Sequence, residues 1–333
     1  MKKDYKLIKK ALLICAALFI SMATQCYKGM IVNAAVSKTI VVAKDGSGNY
    51  KTVQAAVNSI PQNNNQRVTI YIKNGTYKEK VRINQSLVAL KGQSANGVVI
   101  TYDDHINVNK DNQYNAETPT VIVNGSNFYS KNITFQNTAG QVERANAIEI
   151  LSDKSAFFNC RILGGQDTLY LRKDGRRAYF ENCYIEGDVD FIYGAMVAVF
   201  EKCEIYSNSP GYVTAPSTPQ TQQYGFMFNE CKFTGNAKAG SVYLGRPWRP
   251  YASTILKNCQ LGAHISILGW NNWGNAANEK TARFMEYNSQ GPGWNISKRV
   301  KWGKVLDNNT VKPHTTDNYL KGSDNWNYKE RLV

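Results

Sequence analysis

Apolar and polar positions alternate in short runs along this chain, and five of the runs carry one signature. They read AFFNCRI (Ala156 to Ile162), YFENCYI (Tyr179 to Ile185), VFEKCEI (Val199 to Ile205), FMFNECKF (Phe226 to Phe233) and TILKNCQL (Thr254 to Leu261). Each is a short apolar strand that passes through polar residues to a cysteine, then a polar and an apolar residue. A sixth copy, FYSKNITF (Phe128 to Phe135), lacks the cysteine. Successive cysteines from Cys160 to Cys259 are 23, 20, 28 and 28 residues apart. Strand repeats of this length, with no helical unit between them, predict a solenoid of stacked coils. An all-β parallel β-helix satisfies that pattern, each strand lying about 4.8 Å from its counterpart in the preceding coil.

The same spacing places two carboxylates. Asp167 lies seven residues after Cys160, and Asp190 lies seven after Cys183. With the cysteines in register, both aspartates leave the same edge of adjacent coils, with carboxylates within about 6 Å. At that range one carboxyl keeps its proton near neutral pH while the other ionises, which sets an acid beside a nucleophile. The plainer alternative is a pair of surface aspartates in neighbouring turns.

Other elements follow from period and punctuation. KTIVVA (Lys38 to Ala43) reads as a strand, Asp45 to Tyr50 as a turn, and Thr52 to Ile60 as a short helix. Thr52 is its N-cap and Pro61 follows its end. Such a helix would cap the otherwise open end of the solenoid. Arg67 to Ile83 reads as alternating strand broken by a turn at Asn74-Gly75, and Asp103 to Thr118 as a polar loop. In that loop Asp103, Asp104 and His105 are candidate metal ligands, set against the simpler reading of a solvated loop. From Phe284 the regularity fades, and the tail to Val333 is expected to fold back on the coil.

Residues 1–35 have the pattern of a signal peptide: Lys2, Lys3, Lys6, Lys9 and Lys10 precede an apolar run from Ala11 to Ala23, with small residues near Ala35. Residues 36–333 then form a single β-helix domain, secreted and expected to act as a monomer. Six lysines and one aspartate leave with the leader, so the net charge falls from +15 to +10. A basic surface favours an anionic partner. No nucleic-acid module is present, and no membrane segment remains once the leader is removed, so an extracellular anionic polymer is the expected partner. Five cysteines remain, all in the repeats; they read as an interior ladder, with a Cys183–Cys203 bridge as a possibility. Histidine occurs three times and no G-x-S-x-G is present, which argues against a Ser-His-Asp hydrolase. Acid–base work falls to carboxylates.

Around the stacked aspartates the chain reads GGQDTLYL (Gly164 to Leu171), GDVDFIYG (Gly187 to Gly194) and YLGRPWRPY (Tyr243 to Tyr251). With GTYKEKV (Gly75 to Val81), NITFQNTAG (Asn132 to Gly140), ILGWNNW (Ile267 to Trp273) and EYNSQGPGWNISKRVKW (Glu286 to Trp302), the ordered set resembles the pectin methylesterases, the pectinesterase family, from about Val41 to Trp326. The resemblance implies a right-handed parallel β-helix that removes methanol from the C6 esters of galacturonate in pectin, with no metal or organic cofactor. Asp190 then looks like the nucleophile, Asp167 like the acid and base, Gln166 like an oxyanion donor, and Arg246 like the arginine that orients the nucleophile. Tyr170, Tyr193, Trp248 and Trp270 are similar to residues that line the saccharide groove, although Tyr193 and Trp270 also suit core packing.

One departure stands out. Where the family has a QAVAL-like strand, this chain reads RANAI (Arg144 to Ile148), so Arg144 replaces a glutamine of the oxyanion site. In strand geometry Arg144 and Asn146 point to one side. Arg144 is expected to act as an anion-hole donor and as a contact for a substrate carboxylate. The alternatives are a pectin-binding relative with lapsed catalysis, or another β-helix pectin-degrading enzyme of the lyase or polygalacturonase kind, whose own motifs are incomplete here.

Overall fold

The computed structural model describes residues 38–106 and 118–332; the expected leader and residues 107–117 of the polar loop lie outside the described residues. Parallel strands wind as a right-handed β-helix. One face is an eleven-stranded parallel sheet that runs from Lys38–Val42 to Lys304–Val305. Each coil then turns a corner into a second sheet. In the central coils, the strands Tyr184–Gly194 and Glu204–Pro216 are long enough to bend across two faces. Their pairing shifts register between Gly187 and Val189 and again between Val189 and Ile192. Such irregularities bend a strand and re-aim its side chains.

The repeated motif is not a single strand, as the sequence had suggested. It spans the corner: Ser155–Phe158 lies in the first sheet and Arg161–Leu163 in the second. The residue before each cysteine makes the turn in the left-handed region, with φ of 50° at Asn159, 52° at Asn182, 54° at Lys202, 55° at Glu230 and 55° at Asn258. Asparagine tolerates that conformation better than most residues. Its amides also join across coils, Asn159 Nδ2 donating to Asn132 Oδ1 at 2.7 Å and Asn288 Nδ2 to Asn258 Oδ1 at 2.9 Å.

The core runs along the solenoid axis as ladders of like residues. Phe157, Phe180, Phe200 and Phe228 stack at centroid distances of 4.7, 4.8 and 4.5 Å. The five described cysteines are buried free thiols, so the possible Cys183–Cys203 bridge is not formed. Parallel rungs lean their side chains the same way, and four of the five sulfurs meet a backbone carbonyl of the preceding coil. Cys183, Cys203, Cys231 and Cys259 donate to Phe157, Phe180, Phe200 and Phe228 carbonyls at 3.6, 3.6, 3.3 and 3.5 Å.

Both ends fit the pattern. The helix Val53–Asn58 is capped by Thr52 and buries Val53, Ala56 and Val57 in the main core. Its first amides, Val53 and Gln54, donate to the Glu79 carboxylate at 2.8 and 2.9 Å, which suits the positive end of a helix. The tail folds back on the outer side of the first sheet, where Tyr319, Leu320 and Tyr328 pack with Tyr129, Phe158, Tyr179 and Val199. Arg177 holds it there, bonded to Asp153 at 2.6 Å and Asp324 at 2.7 Å.

Candidate active site

The site is built where the coils bend. After Leu163 the chain turns through Gly164, Gly165 and Gln166 to Asp167, which has φ +62°; one coil later Asp190 has φ +51°. Leu169 pairs with Ile192 and Tyr170 with Tyr193. That register sets Asp167 against Asp190, as the cysteine spacing predicts, and the Asp167 amide donates to the Val189 carbonyl at 3.0 Å. The turn is tight: a Cβ on Gly187 would meet the Phe191 Cβ at 2.3 Å.

Asp190 is 6 % exposed. Arg246 grips it with both arms, Nε to Oδ1 at 2.9 Å and Nη2 to Oδ2 at 2.8 Å. A two-point guanidinium–carboxylate pair fixes orientation as well as charge. The guanidinium is itself held between two rings, its Cζ 3.8 Å from the centroid of Tyr212 and 3.8 Å from that of Trp273. The amide of Arg246 donates to the Thr214 carbonyl at 2.9 Å, which anchors the Gly245-Arg246-Pro247 turn to the neighbouring coil.

Electrostatics separate the two carboxyls. Burial pushes Asp190 up, and the hydrogen bonds and charge of Arg246 oppose that rise. Asp167 is pushed up to about 7, first by burial and then by the Asp190 charge, with Asp188 adding to the rise and Arg144 and Arg246 opposing it. Below about pH 7 Asp167 therefore carries a proton, while Arg246 favours the anion of Asp190. An ionised, oriented carboxylate beside a protonated one can attack a carbonyl and protonate the leaving group.

Both line a cleft of about 240 Å³ with Gln166, Arg246, Arg144, Tyr170, Tyr193, Trp248, Ala215 and Trp273. Tyr170 and Tyr193 stack at 4.2 Å with their planes 6° apart, and Trp248 meets them edge-on at 6.4 and 5.8 Å. Eight of the nine residues expected at the site are thus brought together.

Trp270 is the exception. It is 1 % exposed, packs on Phe284 at 4.5 Å and donates from Nε1 to Glu286 at 3.2 Å. A bridge to Gly245 turns it into the core. Trp273, three residues on and at φ +62°, reaches the cleft in its place. Tyr193 lines the cleft but is 5 % exposed, with one ring face covered by Tyr170 and its hydroxyl bonded to the buried Asn146 amide.

Arg144 does line the cleft but not from a strand. The strand begins at Ile148, and Arg144 has φ +24°. Asn146 is turned inward, its amide nitrogen donating to the Asp167 carbonyl at 2.6 Å and the Tyr193 hydroxyl at 2.8 Å. Sequence reasoning missed Asn146, Tyr212 and Trp273 as site residues. The available signals were the second tryptophan of ILGWNNW and a polar residue inside an otherwise apolar RANAI. Asp103 and Asp104 pair with Lys78 and Lys80 rather than meeting His105 as a ligand set. Among the described residues no cluster of three or more His, Cys, Asp or Glu side chains could hold a metal ion. No described helix is long and apolar enough to cross a membrane.

Comparison with known proteins agrees with this fold. The Pectinesterase family model matches residues 39–323. Pectinesterase 31 of Arabidopsis thaliana is 39% identical over 283 residues, covering 82% of this chain and 89% of the relative. Pectin methylesterase from carrot superposes with a TM-score of 0.81 at 32% identity, covering 90% of this chain and 98% of that one. A pectin methylesterase crystallised in complex with a hexasaccharide gives a TM-score of 0.76 at 28% identity, covering 86% and 98%.

Proposed function

This chain belongs to the pectinesterase family and is a carboxylic ester hydrolase, and on that premise we propose that it is secreted and removes the C6 methyl esters of galacturonate in pectin. After loss of residues 1–35, the remaining chain works as a single β-helix domain and a monomer on an anionic, partly esterified polymer. The observation that carries this reading is the Arg246-clamped Asp190 beside an Asp167 carboxyl held up to about 7.

Asp190 attacks the ester carbonyl carbon through one carboxylate oxygen. The carbonyl electron pair moves onto oxygen, where the Gln166 amide and the Arg144 guanidinium donate to it. As the tetrahedral adduct collapses, the bond to methoxyl breaks and Asp167 gives its proton to that oxygen, releasing methanol. The sugar carboxyl is now joined to Asp190 as an acyl-enzyme. Asp167, ionised, takes a proton from water; the water oxygen attacks the acyl carbon, and the Asp190–acyl bond breaks. The product carboxylic acid gives its proton to solvent and leaves as galacturonate, and both aspartates return to their first state. The scheme uses only side chains of this protein and water.

Arg246 serves Asp190 twice: it fixes the oxygen that attacks and keeps the group ionised. Tyr170, Trp248 and Trp273 supply apolar faces against which sugar rings pack. Arg144 adds a cation that suits a free carboxylate on the polymer.

Methanol release from esterified pectin tests the function. Methanol without new reducing ends or unsaturated product supports an esterase. Reducing ends indicate a polygalacturonase, and unsaturated product a lyase. Pectin binding without methanol indicates a relative whose catalysis has lapsed.

A further inference from the structure

Asn146 sits behind the cleft at 2 % exposure with its amide fully engaged. Its nitrogen donates to the Asp167 carbonyl at 2.6 Å and to the Tyr193 hydroxyl at 2.8 Å, and its oxygen accepts the Thr118 hydroxyl at 2.7 Å. A backbone carbonyl can only accept, so the amide atom facing Asp167 must be the nitrogen, and the flip of the side chain is settled. Both hydrogens of that nitrogen are then used. The Tyr193 oxygen is an acceptor toward Asn146, and its own proton has to point elsewhere.

The ring leaves that proton little choice. Tyr193 is fixed by its stack on Tyr170 and by Trp248 at its edge. Among the described residues no acceptor bonds to the Tyr193 hydroxyl, although the residue lines the cleft. The hydroxyl and the Asp167 carbonyl share one donor nitrogen, so the hydroxyl lies beside the peptide of the acid itself.

We propose that Tyr193 is a positioning residue for the acid–base carboxyl: its hydroxyl, turned by Asn146, donates to the Asp167 carboxylate once that group has released its proton. The inference rests on the assignment of Asp167 as acid and base. While Asp167 is protonated it needs no donor. After methanol leaves, it is an anion in a buried site and must hold one lone pair toward water. A hydroxyl donor stabilises it in that state and limits its rotation.

The other groups facing the pair set the background. Asp167 is faced by Asp190, Asp188, Arg144 and Arg246, and Tyr193 by Asp167, Tyr170 and Arg144. Burial, with the Asp167 charge second, pushes the Tyr193 phenol well up, so it remains a neutral donor throughout.

The test is the pH dependence of kcat and kcat/KM on esterified pectin for wild type, Tyr193→Phe, Asn146→Val and the double variant, with thermal midpoints alongside. A hydrogen bond to a charged group is worth about 1.5–3 kcal/mol, so its loss shifts the Asp167 ionisation alkaline by about one to two pH units. Tyr193→Phe keeps the ring stack and is expected to fold. Asn146→Val should shift the profile in the same direction, and the double variant should move no further than the larger single change. An unmoved profile in Tyr193→Phe, or shifts that add, would overturn the proposal. Asp167→Asn serves as the control: if it retains wild-type rate, the acid–base assignment itself fails. If it is slow while Tyr193→Phe leaves the profile unmoved, only the role of Tyr193 fails.

Discussion

Two corners of the same coils use one backbone device for opposite ends. At the corner before the cysteines, and before Ile133 in the copy that lacks one, Asn132, Asn159 and Asn182 take left-handed turns with φ of 58°, 50° and 52°; at the cleft, Asp167 and Asp190 do the same at 62° and 51°. Both corners stack like side chains one coil apart. Asparagine amides carry a donor and an acceptor each, so a stack of them satisfies itself, as the Asn159–Asn132 bond at 2.7 Å does. Carboxylates cannot do so: stacked and buried, they repel until one takes a proton or finds a cation. Arg246 supplies the cation for Asp190 and leaves the proton to Asp167. Reactivity here comes from the side chain placed on the turn, not from the turn.

Replacing one side chain at the reactive corner should break that distinction most severely. Asp190→Asn removes the proposed attacking group and is expected to abolish methanol release, because an amide is no nucleophile. Near wild-type turnover in that variant would refute the role. Asp167→Asn should slow turnover by roughly 100-fold to 10,000-fold, the usual range for a lost general acid. It should also remove the repulsion. The folded pKa of Asp167, about 7, lies above its unfolded value, so its folded form binds more protons between the two and stability falls as pH rises through that window. Asp167→Asn should therefore gain in thermal midpoint over wild type at pH 8 and much less at pH 4; equal differences at both would contradict the linkage.

Smaller effects sharpen the comparison. In the proposed mechanism acylation needs protonated Asp167, so kcat/KM for the wild type should decline as pH rises past about 7. Arg144→Gln should keep activity on highly esterified pectin and lose affinity for partly de-esterified pectin, with a weaker salt dependence. A tenfold gain on both substrates would instead mark Arg144 as an impairment. At the silent corner, Asn159→Ala gives up one amide bond and an αL-tolerant residue, together about 1–3 kcal/mol. Its thermal midpoint should fall while kcat/KM stays within about twofold of wild type, on the scale of one weak contact.

The register of the aspartates was legible because parallel coils repeat position for position, so equal offsets from Cys160 and Cys183 had to land on one edge. The corner at each cysteine was not legible, since a left-handed residue inside an apolar run leaves no trace in alternation. Lys202 and Glu230 make the same turn as Asn159 without being residues that favour it. Trp270 and Trp273 could not be told apart for a similar reason. Both lie in one Asn-rich stretch, and the choice between core and cleft is made by the bridge of Trp270 to Gly245, a contact between coils. Tyr212 was hidden because it serves Arg246 across a coil boundary, from a strand whose pairing is shifted. Asn146 was visible as an oddity in RANAI, but its partners Asp167 and Tyr193 lie in the next two coils.

The central claim is that the cleft carries one shared proton, resident on Asp167 while Arg246 keeps Asp190 ionised. Titration of the Asp167 carboxyl carbon by NMR, in wild type and in Asp190→Asn, measures it directly. The expected midpoint in wild type is about 7. In Asp190→Asn it should fall, because the repelling charge is gone and Arg246 is left unpaired beside it. A wild-type midpoint near the ordinary aspartate value of about 3.9, or one that does not fall when Asp190 is neutralised, would contradict the account.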